Sequence, residues 1–293
     1  MKIWLKFSIL FLNLLAFSAM ACDLHGQSGF MEENNLQIPV GEKQLGGISE
    51  VQFNNVMDKI LSLYSGAVAK TGRKFVIDRL WTDSTVNAYA DQNTQGVDTI
   101  HMFGGLARHP ETTEDAMALV ACHELGHHLG GAPRKSDPAN GSLIWAANEG
   151  QADYWGTMKC LRHYFEGSNN LSIMQNIQIP IDVVNKCQMV YKNADEIAIC
   201  ERSAMAGLAL GRLLNAITQA TSQVSFVTPD KTIVAHTFDA HPQAQCRLDT
   251  YYQASLCDHG FAEIVSQTDA NIAVCSLRNG DQIGNRPLCW FKP

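Results

Sequence analysis

The stretch His123-Glu124-Leu125-Gly126-His127 is an H-E-x-x-H motif, and it predicts the helix around which the rest of the chain is organised. Residues four apart on an α-helix lie on one face, one turn from each other. Two imidazoles placed in this way can hold one zinc ion, and Glu124 between them can take a proton from water. The motif therefore predicts a zinc hydrolase, and in the first place a peptidase.

Helix signals surround the motif on both sides. Thr112-Thr113-Glu114-Asp115 resembles a capping box with acidic residues in the first turn, and Gly130-Gly131 is typical of a helix end. Between them, apolar residues recur on the face that carries both histidines. Burying two histidines and a glutamate without partners would cost several kcal/mol or more for each group. A metal site thus explains this face better than a purely structural role does.

The segment Asn148-Glu149-Gly150-Gln151-Ala152-Asp153 offers a third ligand. One class of zinc enzymes places a third histidine six residues after the motif, but Pro133 stands at that position here. Another class uses a glutamate from a second helix. We expect residues 130–141 to be a loop and residues 143–161 to be helical, which would bring Glu149 to the metal. Asp153, one turn further on, would accept the second ring N–H of a ligand histidine and fix its orientation.

Length and composition are those of an ordinary globular enzyme. The chain has 293 residues, of which 46% are hydrophobic and 17% charged, so it can bury a sizeable core. The formal net charge of −7 gives no electrostatic support for binding nucleic acid. The acidic balance is ordinary and names no substrate, so the expected partner, a protein or peptide substrate, follows from the H-E-x-x-H motif alone.

The N-terminus has the features of a secretory signal. Lys2 and Lys6 precede an apolar run from Phe7 to Phe17, and Ala19-Met20-Ala21 is an A-x-A cleavage site. We expect residues 1–21 to be removed and the protein to be periplasmic or secreted. Cleavage would leave Cys22 first, so the alternative is a lipoprotein anchored through Cys22, the one case in which membrane association is expected. The later apolar stretch, residues 205–217, predicts a buried or amphipathic helix.

Cysteine usage agrees with export, because six of the nine cysteines fall in the C-terminal half at spacings that suggest disulfides. We expect sequential pairing, Cys187 with Cys200, Cys246 with Cys257, and Cys275 with Cys289, although connectivity does not follow from sequence. Cys122, next to His123, is expected to be a buried free thiol. No C-x-x-C occurs, which argues against a thiolate zinc site or a thioredoxin-like centre.

Three ordered motifs resemble the HtpX and CAAX-protease family of gluzincins. They are H-E-x-x-H, E-x-x-A-D and a late H-P-x-x-x-x-R, and here they comprise His123, Glu124 and His127, then Glu149, Ala152 and Asp153, then His241, Pro242 and Arg247. Asn87-Ala88-Tyr89-Ala90 resembles a fourth motif, which in that family leads into a sheet edge, here near residues 98–106, that lines the cleft. The resemblance spans residues 51–251. The chain has no transmembrane helices of the kind integral members carry, so it resembles the exported, periplasmic branch.

The resemblance implies a zinc metalloendopeptidase in which Zn²⁺ is held by His123, His127 and Glu149, with Glu124 as the catalytic base. It also implies that His241 or Arg247 stabilises the oxyanion, or that His241 gates the metal. The possible substrates are unfolded or misassembled envelope proteins. A different class remains open, in which the protein does not catalyse and zinc braces a binding or assembly factor. Hydrolysis of non-peptide bonds is a weaker third possibility.

The predicted fold class is α+β, mostly helical. It is a zincin-like core with the motif helix, a second helix carrying Glu149, and a small sheet with an edge strand. The expected organisation has four parts: a signal peptide (1–21), a loop-like N-terminal segment (22–50), a metallopeptidase domain (51–251) and a cysteine-rich extension packed on the core (252–293).

Overall fold

The structure is a computed structural model that describes residues 28–41, 46–137 and 139–293, so the proposed signal peptide and Cys22 lie outside the described residues. Within this part the helices are α1 (Glu50–Ala69), α2 (Gly104–Arg108), α3 (Glu114–Leu129), α4 (Glu149–Trp155), α5 (Arg162–Phe165), α6 (Asn170–Met174), α7 (Ile181–Val190), α8 (Ala194–Ile217) and α9 (Ala244–Ser255). The strands are β1 (Ser28–Gly29), β2 (Lys74–Leu80), β3 (Ala88–Gln92), β4 (Val97–Phe103), β5 (Arg134–Ser136) and β6 (Leu143–Ala147). A π-helical segment, Gly156–Leu161, joins α4 to α5. The α+β class with a small sheet is confirmed.

The main sheet has four strands in the order β1-β3-β4-β2. Strands β2 and β4 run parallel, whereas β3 is antiparallel to both β4 and β1. The expectation of an edge strand near residues 98–106 is wrong: β4 has a hydrogen-bonded neighbour on each side, and the chain turns helical at Gly104. On the side of β3 that faces away from β4, the short strand β1 pairs with part of β3.

Helix α3 lies at the centre of the molecule, in contact with α1, α4, α8, β3 and β6. It begins where the sequence predicts, because the side chain of Thr113 accepts a hydrogen bond from Ala116 N at 3.1 Å. Every residue from Ala116 to His127 is buried. A helix buried on all sides is a core helix, and the groups on it must find partners inside the protein.

Helix α4 begins later than the sequence suggested. Residues 143–147 form β6, which pairs with β5 as a hairpin, and the helix starts only after Asn148, whose side chain accepts from Gln151 N at 2.9 Å. The expected loop at 130–141 contains β5 for the same reason. Short apolar runs such as Leu143–Ala147 do not distinguish strand from helix. The β-hairpin leads the chain directly into the helix that carries Glu149.

The described residues contain four disulfides: Cys122–Cys160, Cys187–Cys200, Cys246–Cys289 and Cys257–Cys275. The Cys187–Cys200 prediction is confirmed, and the other three cysteine assignments are wrong. The C-terminal segment returns across α9 and buries Trp290 completely, which places Cys289 beside Cys246. Cys122 is not a free thiol, because it joins α3 to the π-helical segment.

We expect the Cys122–Cys160 disulfide to contribute more to stability than Cys187–Cys200, because it closes a loop of 38 residues rather than 13. The loop-entropy relation gives about 4 kcal/mol for the longer loop and about 3 kcal/mol for the shorter. Urea denaturation of Cys122→Ala/Cys160→Ala and of Cys187→Ala/Cys200→Ala measures the loss of unfolding free energy for each disulfide. A Cys122→Ala/Cys160→Ala variant as stable as the wild type would contradict the expectation.

The disulfides point to folding in an oxidising, extracellular-type environment. In the described ranges, none of the helices combines the length and the apolar character needed to cross a bilayer. The stretch 205–217, predicted to be a buried helix, is the C-terminal half of α8, and most of its residues are buried.

Candidate metal centre

The motif residues of α3 converge on one point inside the protein. His123, Glu124 and His127 are all buried and offer ligand atoms within 4.8 Å of one another. Glu149, the first residue of α4, reaches the same point, with its Oε2 3.2 Å from His123 Nε2 and 3.7 Å from His127 Nε2. The predicted ligand set is therefore assembled by two helices.

Close packing of α3 against the helix that follows it makes this convergence possible. A Cβ atom on Gly126 would lie 2.9 Å from the carbonyl oxygen of Ala152, closer than real Cβ contacts allow. A Cβ on Gly156 would lie 3.1 Å from the backbone nitrogen of His123. Glycine at these two positions lets the backbones approach closely enough for Glu149 to meet the histidines.

Each histidine is oriented through the ring nitrogen that faces away from the centre. His123 Nδ1 donates to Asp153 Oδ1 at 2.7 Å, the contact expected from the sequence. His127 Nδ1 donates to the carbonyl oxygen of Ala147, at the end of β6, at 2.8 Å. Both bonds turn the Nδ1 side of the ring away from the centre and Nε2 toward it, so Nε2 is the atom that a neutral ring would offer to a metal.

Asp153 is the hub of a buried polar network. It accepts from Arg247 through Nε and Nη2, both at 2.7 Å, and from the Tyr251 hydroxyl at 2.9 Å. Burial acts to raise the pKa of Asp153, but the Arg247 guanidinium outweighs it and holds the pKa below its usual value. A fully ionised Asp153 is what keeps the His123 ring in place.

Glu149 is surrounded by positive and ionisable groups. Lys135 Nζ, on β5, lies 2.8 Å from Glu149 Oε1, and His241 Nε2 lies 3.4 Å from Oε2. Burial acts to raise the pKa of Glu149, but His241 and Lys135 hold it well below its usual range. Glu149 also starts a helix, where a negative charge is favoured. Lys135 was not anticipated from the sequence, since it lies on β5 in a stretch that the sequence predicts to be loop.

Glu124 differs from the other acids of the centre. Both of its carboxylate oxygens are buried, and neither makes a hydrogen bond with any described residue. Burial raises the pKa of Glu124 to about 8. His123 Nε2 also lacks a well-formed hydrogen bond, despite its proximity to Glu149. Such unsatisfied buried groups are costly in a folded protein. They fit a site that holds a cation and a water molecule.

The two polar residues of the late H-P-x-x-x-x-R motif lie at different places around the centre. His241 lies beside Glu149 and opens toward a cavity of about 250 Å³. Arg247 lies on the Nδ1 side of His123, bound to Asp153, and is 1% exposed. The expectation that Arg247 stabilises an oxyanion is therefore corrected: the salt bridge with Asp153 commits its guanidinium to positioning His123. The side chain of His128 is 1% exposed, and its ring stacks on that of Trp145 with the ring centroids 4.7 Å apart.

Two other groups of His, Cys and Asp come close together among the described residues, around Cys246 and around Cys275. Their cysteines are in disulfides and cannot act as thiolate ligands. A cavity of about 480 Å³ lies between α9 and the C-terminal segment, and none of the residues of the centre lines it. The chemistry of the described chain is thus concentrated at His123, Glu124, His127 and Glu149.

Comparisons with protein-family models, with curated proteins and with solved structures found no match to this chain. Its function is therefore inferred from the geometry of the centre and from the three ordered motifs.

Proposed function

We propose that this protein is an exported zinc-dependent metalloendopeptidase similar to the HtpX and CAAX-protease family, with a zincin-like core. The observation that carries the proposal is the buried, unbonded carboxylate of Glu124 beside two imidazoles and Glu149. Two nitrogen donors and one carboxylate are a donor set typical of catalytic zinc, which keeps one coordination position open.

His123, His127 and Glu149 would hold the zinc ion. When bound, the ion acts as a Lewis acid that polarises the peptide carbonyl and acidifies water. Glu124 accepts the proton of the attacking water and then transfers it to the leaving amine. Asp153 and Arg247 keep the His123 ring fixed, and Lys135 holds the second oxygen of Glu149 so that Oε2 stays directed at the centre.

His241 is the residue best placed to contact the substrate beside the metal. Its ring is 13% exposed, whereas the side chains of His123, His127 and Glu149 are 0% exposed. A ring N–H at this position can donate to the oxyanion as it forms. We assign this role to His241.

Unfolded or misassembled proteins of the cell envelope are the substrate class we propose. The four disulfides support an extracytoplasmic location, whether periplasmic or secreted. A centre as buried as this one would admit an extended chain and exclude a folded domain, which favours polypeptides without tertiary structure.

A non-catalytic protein braced by zinc is the second candidate. It is favoured by the extent of the polar network behind the ligands, which a structural site would also need. Glu124 argues against this candidate. A structural zinc site has four protein ligands and does not need a buried general base beside them.

Removal of the metal tests the proposed function. We expect the purified protein to cleave a reduced, unfolded protein substrate, to lose this activity on dialysis against a chelator, and to regain it with about one equivalent of zinc per chain. Product masses and zinc content by mass spectrometry are the measurements. Cleavage that survives complete removal of metal would rule out the proposal.

A further inference from the structure

The N-terminal part of the described chain runs along the outer edge of β3. We call residues 28–38 the edge segment. It pairs antiparallel with the chain around β3, Ser28 with Ala90 and Gly29 with Tyr89, and Phe30 N donates to Ala88 O at 2.9 Å. Further along, Ile38 N donates to Ser84 O at 2.8 Å. The edge segment therefore uses the free hydrogen-bonding groups of β3 as an added strand would.

The same segment enters the metal centre. The carbonyl oxygen of Gly29 accepts a hydrogen bond from His241 Nε2 at 2.8 Å, the nitrogen that also lies 3.4 Å from Glu149. The ring of Phe30 meets His123 edge-on, with ring centroids 5.4 Å apart. The carbonyl oxygen of Gly29 thus occupies the N–H of His241 that we assign to the substrate oxyanion. The ring of Phe30 covers His123, one of the proposed zinc ligands.

These contacts are the ones that a peptide substrate would need. Extended peptides bind enzymes by pairing with an exposed strand edge, and their backbone carbonyls require donors in the cleft. In the described part of the chain, β3 has β4 on one side and the edge segment on the other. A substrate cannot pair with β3 near the centre while Gly29 and Phe30 remain in place.

The middle of the edge segment is exposed to solvent. Glu32, Glu33 and Leu36 are exposed, and Met31, Glu32, Glu33 and Asn34 line one side of the cavity of about 250 Å³ next to His241. Its attachment includes the Asn87 side chain, which donates to Met31 O at 3.1 Å and accepts from Met31 N at 3.3 Å. Phe30 and Met31 themselves are buried. The closed arrangement is therefore the stable one, and opening requires a local release.

We propose that the edge segment is a built-in substrate-like ligand which keeps the peptidase latent until it leaves β3. This inference rests on the proposed function, and it adds a mode of regulation to it. A polypeptide that competes for the outer edge of β3 would release the segment.

Loosening the segment tests the proposal without altering any ligand or the base. Asn87→Ala removes both bonds to Met31, whereas the matched control Asn93→Ala removes two similar bonds, from Gln95 N and Val97 N, at the opposite end of β3. We expect Asn87→Ala to raise amide exchange at Phe30 and the initial cleavage rate by about tenfold. We expect Asn93→Ala to change neither. A synthetic peptide of residues 28–38 should inhibit Asn87→Ala in trans.

Faster exchange at Phe30 with an unchanged or lower cleavage rate would overturn the proposal and leave the proposed function intact. If Asn87→Ala does not fold, Asn34→Ala, which removes the bond from Asn34 Nδ2 to Val86 O, is measured in its place with the same expectation. If none of the proteins cleaves peptides, the proposed function fails, and binding of the fluorescent 28–38 peptide decides the inference. Binding to the loosened variant and not to wild type supports a covered peptide edge, whereas no binding to either refutes it.

Discussion

Glu124→Gln is expected to lower kcat for peptide hydrolysis by about 10²- to 10⁴-fold, the usual contribution of a general base. The amide keeps the size and shape of the side chain but cannot accept the proton of water. Neither carboxylate oxygen of Glu124 makes a hydrogen bond that supports the fold, so the substitution should leave the structure and the zinc content unchanged. Steady-state kinetics on an unfolded protein substrate, with zinc measured on the same samples, provide the test.

Glu201→Gln is the matched control, because Glu201 is also nearly buried, at 8% exposure, but lies on α8 and is not among the residues of the centre. We expect its kcat to equal that of the wild type. Equal cleavage by wild type and Glu124→Gln would defeat the mechanism. Zinc bound to both proteins with cleavage by neither would favour the non-catalytic brace.

The local geometry of the centre could be predicted from sequence because it depends on helix periodicity. The spacing of His123, Glu124 and His127 determines their common face once the residues are helical, and the signals at Thr113 and Gly130 mark the helix ends. The spacing of Glu149 and Asp153 works in the same way on α4. These are relations within one helix, and they require no knowledge of the tertiary structure.

The remaining features depend on contacts between distant parts of the chain. Lys135 reaches Glu149 only because β5 pairs with β6, a hairpin hidden in a sequence that resembles loop and helix. Arg247 was found through its motif, but its role depends on Asp153, 94 residues away. Disulfide pairing likewise depends on where the C-terminal segment crosses α9, which no local pattern of cysteines records.

Position in the sheet is another property that the sequence leaves open. In β4 alternate residues are buried on one face, namely Asp98, Ile100 and Met102. Whether such a strand is internal or at an edge depends on its neighbours, and here β2 supplies a parallel one. On the other side of β4 lies β3, whose outer edge is covered by residues 28–38, which carry no strand signal of their own.

Asp153→Ala should have the largest effect on stability of any substitution in the centre. It leaves the guanidinium of Arg247 buried without its partner, and loss of one member of a buried ion pair costs about 3–5 kcal/mol. It also removes the acceptor that orients His123, and such losses lower metal affinity by about 10- to 100-fold. Urea denaturation of the metal-free protein and chelator competition for zinc measure the two effects separately.

Asp115→Ala is the control, since Asp115 also pairs with both Nε and Nη2 of an arginine, Arg202, but is 18% exposed. Because water can reach this pair, its loss should be smaller, nearer the ~1 kcal/mol of solvent-exposed pairs, with zinc affinity unchanged. Replacing both members, as Asp153→Leu/Arg247→Leu, should recover part of the lost stability but not the zinc affinity, because the buried charge is gone while His123 still lacks its acceptor. Recovery of both would mean that Asp153 acts only through the stability of the fold, and its role in orienting His123 would have to be abandoned.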